Sequence, residues 1–342
     1  MKFLEIDGSF GEGGGQIVRT AITLSSILHK PVIIENIRKG RKTPGLKPQH
    51  LMALKILEKI CGVKLDHIKK GATSLKFVPG EVKSIELEED VGTAGSIALI
   101  IQVLIPAVAI SKKKLKLTIR GGTNVLWSPT IDYSQIILRE LYSRMGIEFS
   151  LNVIKRGYYP KGGGIVELEV FPSKKINSII LDKRSTKNVK LTCSYSRLPS
   201  KLISSKVKLI EKKLLESNFI VDTKITEEQA LDSGASLLIS SIDKDSIIGI
   251  DSLFNLKQNK FDLDLDKFIH ANQSIDENLA DMLVLPASLA NEMTIFKVDK
   301  ISKHLETNLF VASKITGCKY GIGRIKDGFE VRIEGISNSS IE

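Results

Sequence analysis

Residues 7–19 read DGSFGEGGGQIVR, with five glycines inside eight residues. Glycines at that density leave backbone N–H groups free to turn toward a ligand. The helix that follows adds the partial positive charge of its N-terminal end. Phosphate suits both features. Neither familiar phosphate pattern is present: no Lys-Ser/Thr pair follows the glycines, and the spacing is not GxGxxG. A tight structural turn fits the glycines equally well, so two side chains carry the functional reading. Glu12 sits inside the loop, and Arg19 lies one to two turns into the helix. A carboxylate beside a phosphate nest calls for a cation, which makes Glu12 a candidate metal ligand. Arg19 is either a partner for phosphate charge or a solvated helix-face residue.

The stretch IRKGRKTPGLKPQH, residues 37–50, carries five cationic residues threaded with two prolines and two glycines. A charge run is usually a solvated face, but prolines and glycines give this one a defined shape suited to positioning phosphates. Arg38 and Arg41 are the candidates, because guanidinium forks match phosphate geometry. RGGTNVLWSPTIDYS, residues 120–134, holds the only tryptophan. Trp127 or Pro129 either stacks on a base or lies at the core edge. RGYYPKGGG, residues 156–164, joins basic and aromatic residues, which suits RNA and equally a hairpin turn. His304, in ISKHLETNLF, is one of five histidines and lies between a strand-like and a helix-like run. No GxSxG or HExxH pattern surrounds it. A lone histidine is more often structural than catalytic.

These residues need a frame. A chain of 342 residues supports a sizeable core and two domains. A net charge of +11 and a pI near 9.3 favour an anionic partner such as nucleic acid, although a Lys-rich composition produces the same balance. Cys61, Cys193 and Cys318 are scattered, which argues against a disulfide framework or a cysteine zinc site. The first fifteen residues contain no apolar signal-peptide core. The uncharged run 91–110 approaches membrane-spanning length, but Gln102, Pro106 and its leading glycines favour a buried helix. No membrane association is expected, and a cytoplasmic location is.

Residues 11–41 and 92–123 share one order: glycine turn, apolar helix, β-branched strand, then Arg and Gly. A weaker copy spans 277–304 and ends its strand at Lys303-His304. An amphipathic helix and a pair of strands follow each unit: ATSLKFVPG and SIELEE after the first, 148–172 after the second, CKYGIGRI and FEVRIEGI after the third. This predicts an α+β fold of three β-α-β-α-β-β-like modules. Residues 1–181 and 276–342 form the large domain, and 182–275 form an inserted small α/β domain with a different texture.

DGSFGEGGGQIVRTAI, IRKGRKTPGLKPQHL, VGTAGSIALIIQVLIPA, GGT, GYYPKGGG, LADMLVLPASLA and HLETN occur in one order. That order resembles the RNA 3′-terminal phosphate cyclase family over most of residues 1–180 and 277–340. The resemblance implies three repeats of a four-stranded sheet with two helices, shared with enolpyruvyl transferases, plus an inserted small α/β domain. It implies a ligase-type nucleotidyl transferase that uses ATP and Mg²⁺ or Mn²⁺ to turn an RNA 3′-phosphate into a 2′,3′-cyclic phosphate. The implied route runs through a histidine–AMP intermediate and an RNA end activated by AMP.

By motif, the resemblance makes His304 the nucleophile and Glu12 the metal or phosphate ligand. Arg19 and Arg41 neutralise phosphate charge, and Gln49 positions the substrate with Arg38. Asp281 lies near His304 and orients its ring. Gln102, Pro129, Asn278, Leu279, Ala280, Asp281 and Met282 line the ATP site, with Pro129 against the adenine. Family members often carry an aromatic or histidine where this chain has Asn278. A cyclase-like protein of ribosome biogenesis shares the fold, lacks the catalytic histidine and acts on pre-rRNA. It is the alternative, and His304, Glu12, Arg19 and Asp281 together favour catalysis over it. An enolpyruvyl transferase has no use for a histidine nucleophile, and a plain RNA-binding module explains the charge but not these motifs. Monomer and homodimer are both compatible with the sequence.

Overall fold

The computed structural model describes residues 2–63, 65 and 68–336. The fold mixes helices with several separate sheets. The chain opens with β1 (Leu4–Asp7), α1 (Gly15–Leu28), β2 (Val32–Glu35), α2 (Pro48–Cys61) and β3 (Leu75–Phe77). The order in this sheet is β1-β2-β3, with β1 and β2 parallel. A second sheet follows from β4 (Ile85–Asp90), α3 (Ile97–Ile110) and β5 (Leu115–Gly121). The chain continues through α4 (Ile131–Tyr133), a π-helical turn at Ser134–Leu138, α5 (Arg139–Arg144), β6 (Phe149–Lys155) and β7 (Gly164–Val170). The order here is β4-β5-β7-β6.

Next come β8 (Asn188–Ser196), α6 (Ser200–Glu216), β9 (Ile220–Glu227), β10 (Gly234–Asp243), β11 (Ser246–Asn255), β12 (Lys260–Phe261) and α7 (Leu265–Ile269). Their strands form one sheet in the order β12-β11-β10-β8-β9. The last group is α8 (Glu277–Ala287), β13 (Met293–Val298), α9 (Lys303–Thr316), β14 (Lys319–Ile325) and β15 (Gly328–Glu334), with sheet order β13-β15-β14.

Helix α3, IALIIQVLIPAVAI, is apolar nearly all round and almost wholly buried. A helix of that kind belongs inside a protein core, and α3 packs against α1, α2, β5 and β7. No helix among the described residues is long and apolar enough to cross a membrane. Buried apolar residues fall into two clusters. The larger joins the first, second and last groups. The smaller draws only on residues from Val189 to Ala271.

One strand sits elsewhere than the sequence suggests. SIELEE reads as the end of the first group, yet β4 pairs in parallel with β5 in the second sheet. Connectivity explains it: β4 leads through α3 into β5, the crossover that a parallel pair requires. The two outer sheets have three strands among the described residues, against four in the central one. Strand β9 has no counterpart in the sequence prediction. Its residues, IVDTKITE, are exposed or half-buried, and charged residues interrupt the apolar run that would mark a strand.

Candidate active site

The glycine loop between β1 and α1 meets the first turn of α9. Gly11 shows why glycine is required there. Its φ is +58°, and an added Cβ would lie 2.3 Å from Thr307 Oγ1. The close approach lets the Glu12 N–H donate to Thr307 Oγ1 at 3.2 Å. It also brings the Glu12 carboxylate against α9, where one oxygen contacts His304 Nε2 and the other pairs with Arg41 Nη2.

His304 sits in the first turn of α9, whose N-terminus is capped by Ser302 accepting from the Leu305 N–H. The second ring nitrogen, Nδ1, is 3.8 Å from Asp281 Oδ2. Asp281 is held in turn: its Oδ1 accepts from Ser302 Oγ at 3.3 Å, and its carbonyl accepts from Asn308 Nδ2 at 3.3 Å. Asn308 Oδ1 accepts from Thr20 Oγ1 of α1 at 3.1 Å. The histidine therefore lies between two carboxylates supplied by different segments.

Electrostatics set the ring's state. Burial holds His304 below the ordinary imidazole value, with Glu12 pulling upward and Arg19 and Arg41 adding to the fall. The ring is neutral near pH 7, as a nucleophile or ligand must be. Burial, then the charge of Glu277, raises Asp281 well above the usual carboxylate range. The Arg19 side chain makes no hydrogen bond or ion pair among the described residues, and burial lowers it to about 10 despite Asp281 and Glu12. Nearby, Gln16 is 4% exposed, and neither polar atom of its side chain has a partner. An unpaired guanidinium and an unpaired amide beside a helix N-terminus form a site waiting for an anion.

These residues line a cleft of about 1150 Å³. Among the described residues no group of three or more His, Cys, Asp and Glu side chains gathers into a metal cage. Mg²⁺ does not need one, since it commonly binds one or two carboxylates and substrate phosphates. Glu12, whose buried Oε2 faces only His304 Nε2, suits that role.

The model of the family described as RNA 3′-terminal phosphate cyclase matches residues 10–322. A protein of that name from Methanosarcina barkeri is 36% identical, covering 96% of this chain and 99% of its own. Another from Korarchaeum cryptofilum is 34% identical over 98% of this chain and 99% of its own. The chain belongs to the RNA 3′-terminal phosphate cyclase family. A cyclase from Nostoc punctiforme is 31% identical, covering 94% of this chain and 95% of its own. Among solved structures, an EPSP synthase from Acinetobacter baumannii is similar at a TM-score of 0.23 and 10% identity, over 98% of this chain and 65% of that one. That likeness is too weak to argue from.

Of the residues that the cyclase motifs single out, Glu12, Arg19, Arg38, Arg41, Gln49, Gln102, Pro129, Asn278, Asp281, Met282 and His304 all line the one cleft. Leu279 and Ala280 do not. They are 0% and 1% exposed and pack in the core, because the helical period turns them away from the face carrying Asn278, Asp281 and Met282. Arg38 is occupied by its own loop, donating to Thr43 O at 2.7 Å and Gly45 O at 3.0 Å. Arg156, read with RGYYPKGGG as a residue for RNA, is 4% exposed and pairs inward with Asp132 and Glu228.

Among the cleft residues that sequence reasoning missed are Gln16, His50 and Asp251. The first two lie inside the quoted motifs GGGQ and KPQH, and only their burial reveals them. Asp251, on β11, accepts from the Thr130 N–H at 2.6 Å, and no local signal marks it.

Proposed function

We propose that this cleft converts an RNA 3′-phosphate end into a 2′,3′-cyclic phosphodiester using ATP. The observation that carries the reading is His304 held between Glu12 and Asp281 in the cleft that Arg19 also lines. Membership of the cyclase family supports the same reaction.

Chemistry explains why ATP is needed. A phosphate monoester is a poor electrophile, and attaching AMP supplies a good leaving group. A covalent intermediate divides the work into easier steps. His304 Nε2 attacks the α-phosphorus of ATP; an N–P bond forms, the bond to the β-phosphate oxygen breaks, and pyrophosphate leaves. The proton on Nδ1 stays facing Asp281, which stabilises the ring's new positive charge. Arg19 and Arg41 offset the charge developing on the phosphates. An oxygen of the RNA 3′-phosphate next attacks the same phosphorus, the N–P bond breaks, and AMP passes to the RNA end. The adjacent 2′-OH attacks the 3′-phosphorus and its proton passes to solvent; the bond from that phosphorus to the bridging oxygen breaks, and AMP leaves with the oxygen. That hydroxyl is already in place, so ring closure gains from proximity, and DNA ends are excluded because they lack it.

Glu12 is the residue that would hold Mg²⁺ or Mn²⁺, which when bound draws charge from the phosphates. Its contact with His304 Nε2 covers the attacking atom, so nucleotide entry must separate the two. Gln49 with Arg38 positions the RNA phosphate, while Gln102, Pro129, Asn278 and Met282 shape the nucleotide pocket. The same reading divides the chain into 1–181 with 276–342, three related modules, and an inserted unit, 182–275. The apolar cluster confined to Val189–Ala271 supports the inserted unit.

The decisive test uses ATP labelled with ³²P at the α-phosphate, with Mg²⁺, on the wild type and His304→Ala, read on a denaturing gel. Label on the wild type and none on the variant is expected. A correctly folded wild type that takes no label would sink the mechanism and favour the non-catalytic rRNA-processing alternative.

A further inference from the structure

We propose that Trp127, with Tyr159 on the adjoining loop, is the stacking platform for the bases next to the RNA 3′-phosphate; this rests on the RNA reading above. Trp127 is 95% exposed and Tyr159 75% exposed, and both line the same cleft as His304. Large aromatic rings left that bare gain nothing from the fold itself.

The backbone makes the case stronger. Trp127 has φ +62°, a left-handed conformation disfavoured for side-chain-bearing residues by roughly 1–2 kcal/mol. Such strain persists only where surroundings enforce it, and it concentrates at ligand sites. Here the loop is fastened on both sides of the tryptophan. The Thr123 and Asn124 N–H groups donate to Gly157 O at 2.9 and 3.1 Å, which ties this loop to the one bearing Tyr159. Asn124 Nδ2 donates to Ser236 Oγ at 2.9 Å, and the Thr130 N–H donates to Asp251 Oδ2 at 2.6 Å. A rigid frame thus holds a ring that touches little.

Cations complete the platform. Arg38, Arg41 and Lys47 line the same cleft, and Lys161 follows Tyr159 in the neighbouring loop. A basic groove with bare aromatic faces is how single strands are held without sequence preference. ATP brings one base, whereas this rim offers two rings on two loops. RNA therefore fits the ledge better than the nucleotide does.

Trp127 is the only tryptophan in the chain, so its fluorescence reports on the ledge directly. The full chain is titrated, without ATP, with a short single-stranded RNA that ends in a 3′-phosphate and carries a 5′ fluorophore outside the tryptophan emission band. Saturable quenching that follows the rise in anisotropy is expected. ATP with Mg²⁺ alone should leave the emission unchanged. Trp127→Ala should weaken RNA binding by about tenfold, the scale of one lost stack, and Trp127→Phe should restore most of it. Quenching by ATP alone would overturn the proposal and give the ring to the nucleotide. So would RNA that binds by anisotropy without quenching, or that quenches equally when its terminal bases are abasic. RNA that fails to bind by anisotropy would sink the substrate reading itself, and with it this proposal, through a signal independent of Trp127.

Discussion

Two arginines, Arg19 and Arg156, show opposite uses of one side chain. Arg156 is buried and saturated. It grips both oxygens of Asp132 at 2.7 and 2.8 Å, both oxygens of Glu228 at 2.6 and 2.9 Å, and Ser194 Oγ at 3.0 Å. Burial alone would lower its pKa, but Asp132 and Glu228 together hold it above the ordinary guanidinium value. Arg19 lines the cleft with no partner, and burial lowers it to about 10. The fold has satisfied one guanidinium and left the other for something that arrives. A saturated buried ion pair links parts of the structure, whereas an unsaturated one marks a binding site. Arg156 links the segment after β6 to α4 and to the segment after β9, so it joins the central sheet to the five-stranded one.

Removing each side chain separates the two roles. Arg156→Ala strands two carboxylates, one of them buried, and is expected to lower the unfolding free energy by roughly 3–5 kcal/mol, measured by urea denaturation. A loss under about 1 kcal/mol would mean that solvent reaches this network, and the contrast would fail. Arg19→Gln is expected to slow formation of the protein–AMP adduct by about 10²–10³-fold, the scale seen when one preorganised electrostatic donor is removed. Its urea midpoint should hold or rise, because an unpaired cation has gone from the cleft wall. A destabilised variant with normal adduct formation would make Arg19 structural.

His50 gives the smallest and most specific effect. Burial, reinforced by Arg19, Arg38 and Lys47, pushes it down to about 3, while its Nδ1 accepts from the Lys47 N–H at 3.1 Å. The folded state keeps this ring neutral, whereas the unfolded chain protonates it near 6.5. Below that pH the unfolded state binds the extra proton, so stability falls as pH drops from 6.5 toward 3. The slope is about 1.4 kcal/mol per pH unit. Between pH 7 and 5 His50 should therefore remove about 2 kcal/mol, and His50→Gln should abolish that share. Equal pH slopes in wild type and variant would show that burial and the neighbouring cations do not hold this ring neutral.

Much of the site was legible because its chemistry is written locally. The glycine run and the cationic loop name Glu12, Arg38 and Arg41 by residue type and neighbours, whereas His304 is named only through the family resemblance that HLETN carries. The apolar stretch of α3 declared its own burial, since a run without charge must be covered by other protein or lipid. Charge and composition pointed to an anionic partner, and the order of motifs pointed to one family.

What remained depends on which surfaces meet. Glu12, Arg41, Asp281 and His304 lie in four segments far apart in the chain, and only the packing of α1, α8 and α9 brings them together. The inward turn of Arg156 could not be told from the outward turn of Tyr159 three positions on, because both sit in one basic-aromatic string. Leu279 and Ala280 share a motif with Asp281, but the helical period assigns them to the core. Strand β4 reads equally well as the end of one sheet or the edge of the next, and its hydrogen-bond partner decides. Residue type fixes what a side chain can do, while the close packing of distant segments fixes what it faces, and that is where Arg19 and Arg156 part.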